Sequence, residues 1–172
     1  MKTNRFNGFR NGRETMLHSY LCVYIHCVWA TLNRECILTR EIRPQITNDI
    51  FVYAPSNSIP IDALNIQPNH VHCLIELKSN QNIDLLIKLL KGESSRWTNS
   101  PDLLRYKFSR QRGYGAFSVG YRQLSLMRNN IARQDGHYRR RSFTEEIDNL
   151  LLMAGIRETG FEPPSPSFSG IL

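Results

Sequence analysis

Two histidines separated by one apolar residue, His70 and His72, have the type and spacing to do chemistry in this sequence. They lie in the run from Pro68 to Leu77, where apolar and polar residues alternate from Val71 with the period of a half-buried strand. Residues two apart share one face of a strand, so the imidazoles should project side by side, with Cα atoms about 6 to 7 Å apart. Such a pair offers two nitrogen ligands to a divalent metal, although histidines at this spacing also occur as paired surface or core residues.

A later predicted helix, from Leu124 to about Tyr138, carries polar groups on its apolar side. Asn130 and Gln134 lie on or beside the stripe that includes Leu124 and Ile131. Amides on an inward face need partners, because an unpaired buried polar group costs about 1 to 3 kcal/mol. Either they bond to neighbouring backbone, or the carbonyl oxygen of Gln134 is a third ligand to a metal held by the histidines. Two imidazoles and an amide oxygen suit Mg²⁺ or Mn²⁺ better than a closed structural zinc site.

The elements that must position these residues follow the order β-α-β-β-α-β, with two more helices at the end. The order predicts an α+β fold, a ferredoxin-like βαββαβ antiparallel sheet with appended C-terminal helices. RNA-recognition modules share this topology, so it does not by itself select a function. The predicted strands are Tyr20–Thr31, Ile61–Ile66, Val71–Leu77 and Tyr114–Val119. The predicted helices are Arg40–Phe51 with Thr39 as cap, Ile83–Lys91 or on to Trp97, Leu124–Tyr138, and Ser142–Met153 with a capping box from Ser142 to Glu145.

The 172 residues are enough for one domain with polar ends. We expect a disordered basic arm over residues 1–15, a folded domain over 16–156, and a disordered Pro/Ser-rich tail over 157–172. No apolar run reaches 18 residues, so no membrane span is expected. The four cysteines form no Cys-x-x-Cys pair, which favours buried, reduced thiols and a cytoplasmic location.

The charge balance favours a polyanionic partner. The chain contains 22 Lys and Arg residues and 15 Asp and Glu residues, which gives a net charge of +7. For a small protein of this kind, nucleic acid is the commoner partner and an acidic membrane is the rival. The candidate DNA contacts are Lys91, Arg96, Arg110 and Arg112, which are interleaved with aromatic residues as in surfaces that track phosphates.

Five ordered segments between about Tyr20 and Ile156 resemble the IS200/IS605-type single-tyrosine transposases, a branch of the His-hydrophobic-His nucleases. The matching segments are His26–Thr31, Asn69–Ile75, Leu90–Ser95, Gln111–Val119 and Arg128–Gln134. The third resembles the Leu-Lys-Gly-x-Ser-Ser helix of the family, and the fifth resembles its catalytic helix. The resemblance implies a homodimer that recognises hairpins at the ends of single-stranded DNA.

The same resemblance implies roles for individual residues. His70, His72 and Gln134 would bind the divalent ion that polarises the scissile phosphate. A tyrosine on the catalytic helix would then attack, leaving a 5′-phosphotyrosine and a free 3′-OH. In the family, the tyrosine of one subunit completes the metal site of the other.

This sequence departs from the family pattern at the nucleophile. Where the family has Tyr-Ile-x-x-Gln, this chain has Asn130 at the tyrosine position, and an amide cannot form the aryl phosphodiester that stores the energy for strand transfer. Tyr138 would lie roughly 12 Å further along the axis, too far to replace it without rearrangement. Two lesser departures are Asn69, where the family has Asp, and Arg110, where it has an aromatic residue.

The sequence therefore supports a transposase with impaired cleavage, or a non-catalytic nucleic-acid-binding dimer descended from one. Two other classes fit less well. An RNA-recognition module needs paired aromatics on adjacent central strands, and the histidine strand has none from Val71 to Leu77. A two-histidine phosphoesterase needs a second His-x-Ser/Thr motif, which the sequence lacks.

Overall fold

The computed structural model describes residues 20–100, 108–134 and 143–156, which form a four-stranded antiparallel sheet covered by helices. The strands are β1 (Val23–Ala30), β2 (Ile61–Ile66), β3 (His70–Leu77) and β4 (Gly115–Val119). The helices are α1 (Arg43–Ser56), α2 (Ile83–Thr98), α3 (Leu124–Ala132) and α4 (Phe143–Met153). The strand order β2-β3-β1-β4 confirms the predicted ferredoxin-like α+β fold with helices appended after β4.

The central strand β3 is buried on both of its faces. All residues from His70 through Ile75 are buried, so the prediction of a half-buried strand is wrong. Ile75 belongs to one core with Ile50 of α1, whereas Leu74 packs with Ile131 of α3 on the opposite side. The polar residues of this strand therefore need protein partners, because solvent reaches neither face.

The register between β1 and β3 decides which residues share a face. The two strands are antiparallel, with Ala30 opposite His70 and Val28 opposite His72. His26, two residues before Val28, is therefore on the histidine face as well. This face is closed by α3 and α4, and Phe143 of α4 packs with Val28 and Ala30.

The bounds of α1 differ from the prediction, whereas the start of α2 agrees with it. Helix α1 runs from Arg43 to Ser56 rather than from Arg40 to Phe51, and its N-cap is Ile42, without a side-chain cap. Thr39 is therefore not the N-cap, because Pro44 is accommodated in the first turn, where its missing N–H needs no partner. Helix α2 begins as predicted, with the Asn82 side chain accepting a hydrogen bond from the Leu85 amide at 3.1 Å.

Glycine at position 92 does not end α2, which continues to Thr98. The longer of the two predicted alternatives is therefore the correct one, because burial of Leu86, Ile87 and Leu90 holds the helix across the glycine. The strand β4 begins one residue later than predicted, at Gly115.

Several sequence predictions lie outside the described residues. These are the arm at 1–15, the tail at 157–172, the part of the predicted third helix that contains Tyr138, and the Ser142 cap.

Within the described ranges, none of the helices has the length and apolarity needed to cross a bilayer. Cys27 and Cys73 are buried, but Cys22 and Cys36 are exposed, so the prediction of buried thiols holds for only two of the four.

Candidate metal centre

The two histidines of β3 lie side by side in the interior. The exposed fractions of His70 and His72 are 0% and 1%, and their ring centroids are 4.8 Å apart at an angle of 82°. They occupy the beginning of the strand, just after a turn in which the Gln67 amide donates to the His70 carbonyl at 2.8 Å. The ring of His70 stacks on Phe143 of α4, with centroids 4.4 Å apart.

Glu146 of α4 joins the two histidines. Its Oε2 lies 3.6 Å from Nε2 of His70, and its Oε1 lies 3.4 Å from Nε2 of His72. One ligand atom from each of the three residues lies within 4.8 Å of the others. Because α4 carries Phe143 three positions earlier, the stacking on His70 brings the next turn of the helix over both rings.

Sequence reasoning missed Glu146. The Ser-x-x-Glu pattern drew attention to Glu145 as a capping residue, and nothing local distinguishes its neighbour. The only available signal was position: Glu146 follows Phe143 by three residues, so both share a helix face. That spacing becomes informative only once Phe143 is known to stack on a histidine.

Gln134 is also at the centre. It lies two residues beyond α3, is 4% exposed, and places its Nε2 3.0 Å from Nε2 of His72 while donating to Oε1 of Glu146. The structure thus brings the predicted third ligand to the histidines, although through its amide nitrogen. Rotating the amide by half a turn exchanges nitrogen for oxygen without moving the rest of the side chain.

Asn69 orients the ring of His70. Its Oδ1 lies 2.7 Å from Nδ1 of His70, and its Nδ2 donates to the carbonyl of Arg34 at 3.2 Å. The second bond fixes the amide, so the oxygen must face the imidazole. His70 therefore carries its proton on Nδ1, which leaves Nε2 directed at Glu146. Asparagine supplies this acceptor without the charge of an aspartate.

The electrostatics of the centre favour one fixed negative charge beside neutral rings. Burial, together with the charge of His72, lowers the pKa of both His26 and His70 to about 3. Burial acts to raise the pKa of Glu146, but its hydrogen bonds and attraction to His72, with help from Gln134 and His70, lower the pKa to about 2. Glu146 is therefore a carboxylate at every physiological pH.

This arrangement fits a divalent cation. Imidazole nitrogens bind metals in their neutral form and carboxylates in their ionised form, and the lowered pKa values of His70 and Glu146 favour those forms. The ligand atoms of His70, His72 and Glu146 are close enough to converge on one ion, and Gln134 stands beside them. Each histidine also has an acceptor or a second ring at Nδ1, as metal-binding histidines usually do.

Asn130 lies in the last turn of α3. Helix α3 turns Leu124 and Ile131 toward the sheet, and Asn130 is exposed. Its exposure excludes a place on the buried stripe itself, whereas Gln134, two residues beyond α3, is buried. Tyr121, just before α3, is 75% exposed.

Two of the four candidate DNA contacts are engaged within the protein. Lys91 donates through Nζ to the carbonyl of Gln111 at 3.0 Å and to that of Gly113 at 2.6 Å, and burial lowers its pKa. Arg110 stacks its guanidinium over the Phe108 ring at 4.9 Å, and burial lowers its pKa to about 9. Lys91 and Arg110 are therefore occupied by contacts with the segment that precedes β4.

The other two candidates reach solvent. The side chain of Arg96 is 71% exposed, although it pairs with Glu93 one turn earlier on α2. Arg112 is exposed and lies at the same end of the sheet as the histidines, because the Gln111 amide donates to the carbonyl of Ala30, which is opposite His70. Of the four, Arg112 is the best placed to meet a phosphate near the centre.

Comparison with known proteins identifies the family. The sequence profile of the IS200-like transposases matches residues 19–134, which include His70, His72 and Gln134. The chain belongs to the IS200-like transposase family. The matched region ends before α4, so Glu146 lies outside the part shared with the family profile.

Individual relatives agree with this assignment. The ISDra2 transposase TnpA of Deinococcus radiodurans is 28% identical over 71 residues, which are 41% of this chain and 51% of that protein. The chain thus spans about half the length of the curated relative it matches.

Two solved structures share the fold. One, assigned as a transposase from Deinococcus radiodurans R1, has a TM-score of 0.52 and 22% identity, covering 73% of this chain and 98% of its own. The other is a REP-associated tyrosine transposase bound to a REP hairpin, with a TM-score of 0.53 and 12% identity, covering 76% and 74%.

The buried histidines should make stability depend on pH. Because the folded-state pKa of His26 and His70 is lowered, the unfolded chain binds more protons between about pH 6.5 and 3, and stability falls as the pH drops through that window. At pH 5 each ring should cost on the order of 2 kcal/mol relative to pH 7.5. Urea unfolding in EDTA at the two pH values measures this, and His26→Phe should remove about half of the difference. Equal pH dependence in both proteins would contradict the prediction.

Proposed function

We propose that this chain binds hairpins of single-stranded DNA as a homodimer and holds a divalent cation, Mg²⁺ or Mn²⁺, but does not form the covalent tyrosine–DNA link itself. The observation that carries the proposal is the convergence of His70, His72, Gln134 and Glu146 in a member of the IS200-like transposase family. The net charge of +7 and the hairpin bound by a structural neighbour support DNA as the partner.

His70, His72 and Glu146 would hold the cation, with Gln134 turning its amide oxygen toward it. When bound, the cation supplies positive charge that polarises a phosphodiester. Within the protein, Glu146 offsets part of that charge, and Phe143 closes one side of His70 against water. Because the rings are buried and already hydrogen-bonded, little reorganisation accompanies binding.

The donor set favours Mn²⁺ over Mg²⁺. Mg²⁺ prefers oxygen ligands and keeps several waters, whereas imidazole nitrogens bind transition metals more readily. Two of the four groups at this centre are imidazoles. Zn²⁺ would compete for the same set, so the choice in the cell depends on availability as well as affinity.

The residue at the family's tyrosine position, Asn130, is the reason we propose that the covalent step is lost. Asn130 carries an amide, which cannot attack a phosphate and then leave again as a phenolate does. Asn130 is exposed on α3, which suits a residue that would face a partner subunit. In a homodimer of this chain, each subunit would present asparagine to the other.

Loss of the Glu146 carboxylate should weaken the cation site. We expect Glu146→Gln to lower the Mn²⁺ affinity at least tenfold, which is about 1.4 kcal/mol, because a neutral amide replaces the only charged ligand. Isothermal titration calorimetry measures the affinity. The matched control is Glu145→Gln, which removes the same charge from the adjacent exposed position and should leave the affinity within twofold. An equal loss in both variants would show that the effect is general electrostatics.

Removal of Arg112 should weaken hairpin binding. Arg112→Ala is expected to lower the affinity for hairpin-forming oligonucleotides from the flanking DNA, and to reduce the salt slope of binding by about one, the change for one phosphate contact. Lys78→Ala is the control, because Lys78 follows the far end of β3, about 26 Å from His70 at roughly 3.3 Å per residue. Fluorescence anisotropy at several salt concentrations separates the two. Identical losses would argue against a DNA surface at the histidine end.

Restoring tyrosine should restore the covalent step. Incubated with a hairpin oligonucleotide and Mn²⁺, the unaltered chain should give no protein–DNA adduct on a denaturing gel, whereas Asn130→Tyr should give one. Adding His70→Ala to Asn130→Tyr should abolish the adduct, which ties the chemistry to the cation site. An adduct from the unaltered chain would overturn the proposed loss of cleavage. Hairpin binding without any adduct in Asn130→Tyr would favour the alternative, a binding protein whose cleavage machinery has decayed further.

A further inference from the structure

His26 contacts the metal-binding face, although the proposed centre does not include it. It lies on β1, is 3% exposed, and stacks on His72 with ring centroids 5.2 Å apart at 15°. Its Nε2 is 3.0 Å from Nδ1 of His72. That distance is a hydrogen bond, so one of the two nitrogens carries the proton and the other accepts it.

The direction of this hydrogen bond follows from the other side of His72. Nε2 of His72 faces Glu146 and Gln134, which is where a cation would lie. An imidazole nitrogen binds a metal through its lone pair, so the proton of neutral His72 must then be on Nδ1. His26 Nε2 therefore accepts, and the proton of His26 lies on Nδ1.

The neighbouring ligand shows the same arrangement with a different acceptor. His70 donates from Nδ1 to the amide oxygen of Asn69, which leaves its Nε2 for the centre. Each histidine of β3 is thus hydrogen-bonded at Nδ1. The partner of His70 is Asn69, the preceding residue, and the partner of His72 is His26 on the adjacent strand β1. Orientation of a ligand ring through its second nitrogen is the usual arrangement at metal sites.

Packing alone does not account for a histidine at position 26. Its Nδ1 is buried and has no hydrogen-bond partner among the described residues, which disfavours a polar ring. Phe117 packs against the same ring with centroids 6.4 Å apart, so an apolar ring would suit these surroundings better. The polar ring therefore costs stability, and the hydrogen bond to His72 is the interaction that compensates.

We propose that His26 is a positioning residue that accepts a hydrogen bond from the Nδ1–H of His72 and thereby holds His72 Nε2 toward the cation. This inference rests on the proposed cation site. It assigns to β1 a function in metal binding through His72, without any contact between His26 and the ion.

The test compares two replacements of His26. His26→Phe keeps a buried ring but removes the acceptor, and should lower the Mn²⁺ affinity 10- to 100-fold while leaving the thermal unfolding temperature unchanged or higher. His26→Gln restores an acceptor oxygen at the same reach and should recover the affinity to within about threefold. Phe117→Leu, which disturbs the packing on His26 but leaves the hydrogen bond, should bind Mn²⁺ like the unaltered chain.

A measurement on the unaltered chain makes the test independent of folding in the variants. In the ¹⁵N-labelled protein with saturating Mg²⁺, the Nδ1 of His72 should be the protonated nitrogen. A proton on Nε2 of His72 would overturn the proposal, as would equal Mn²⁺ affinity in His26→Phe and the unaltered chain, or an equal loss in His26→Phe and His26→Gln. If the unaltered chain binds no Mn²⁺ at all, the proposed function fails, an outcome distinct from these.

Discussion

The antiparallel pairing of β1 with β3 is the constraint on which the rest of the molecule depends. It sets His72 opposite Val28 and His70 opposite Ala30, so that the histidines share one face of the sheet. A slip of one residue would turn every side chain of β3 to the other face and exchange the imidazoles for Val71 and Cys73. The apolar core under α1 and α2 resists this slip, because Val71, Cys73 and Ile75 are completely buried there. The hydrophobic effect on one face thus fixes the position of the polar chemistry on the other.

Covering the histidine face with α3 and α4 changes the chemistry of the groups beneath. In water the rings of His26 and His70 would titrate near neutral pH, but burial keeps them neutral and suited to bind a metal or accept a hydrogen bond. The same cover brings in the Glu146 carboxylate, whose charge would be costly in that position without the imidazoles and Gln134 around it. The four groups depend on one another, since each provides the polar partner that burial demands of the others.

In the proposed function, cation binding and nucleophilic attack would depend on positions that differ in burial. The groups that would hold the cation are buried, mutually hydrogen-bonded and supported by the core, so losing any one of them disturbs the fold around it. Asn130, in contrast, is exposed on α3. A substitution at such a position costs little stability, whereas one at His72 leaves several buried partners unsatisfied. The proposed combination of an intact cation site with a changed nucleophile position would follow from this difference.

The sequence by itself determined the element order, the sheet topology and the pair of histidines, because alternation of apolar residues and helical spacing are local signals. It also indicated the nearness of Gln134, through an amide that interrupts the apolar stripe of a helix. Only the tertiary structure decided that Glu146 lies against His70 and His72, that His26 contacts His72, and that Lys91 and Arg110 are engaged within the protein. Those facts depend on how α4 crosses the sheet and on which strand lies beside β3. The contacts that Glu146 and His26 make with His72 join residues more than forty positions apart, and such contacts leave no periodic trace in the chain.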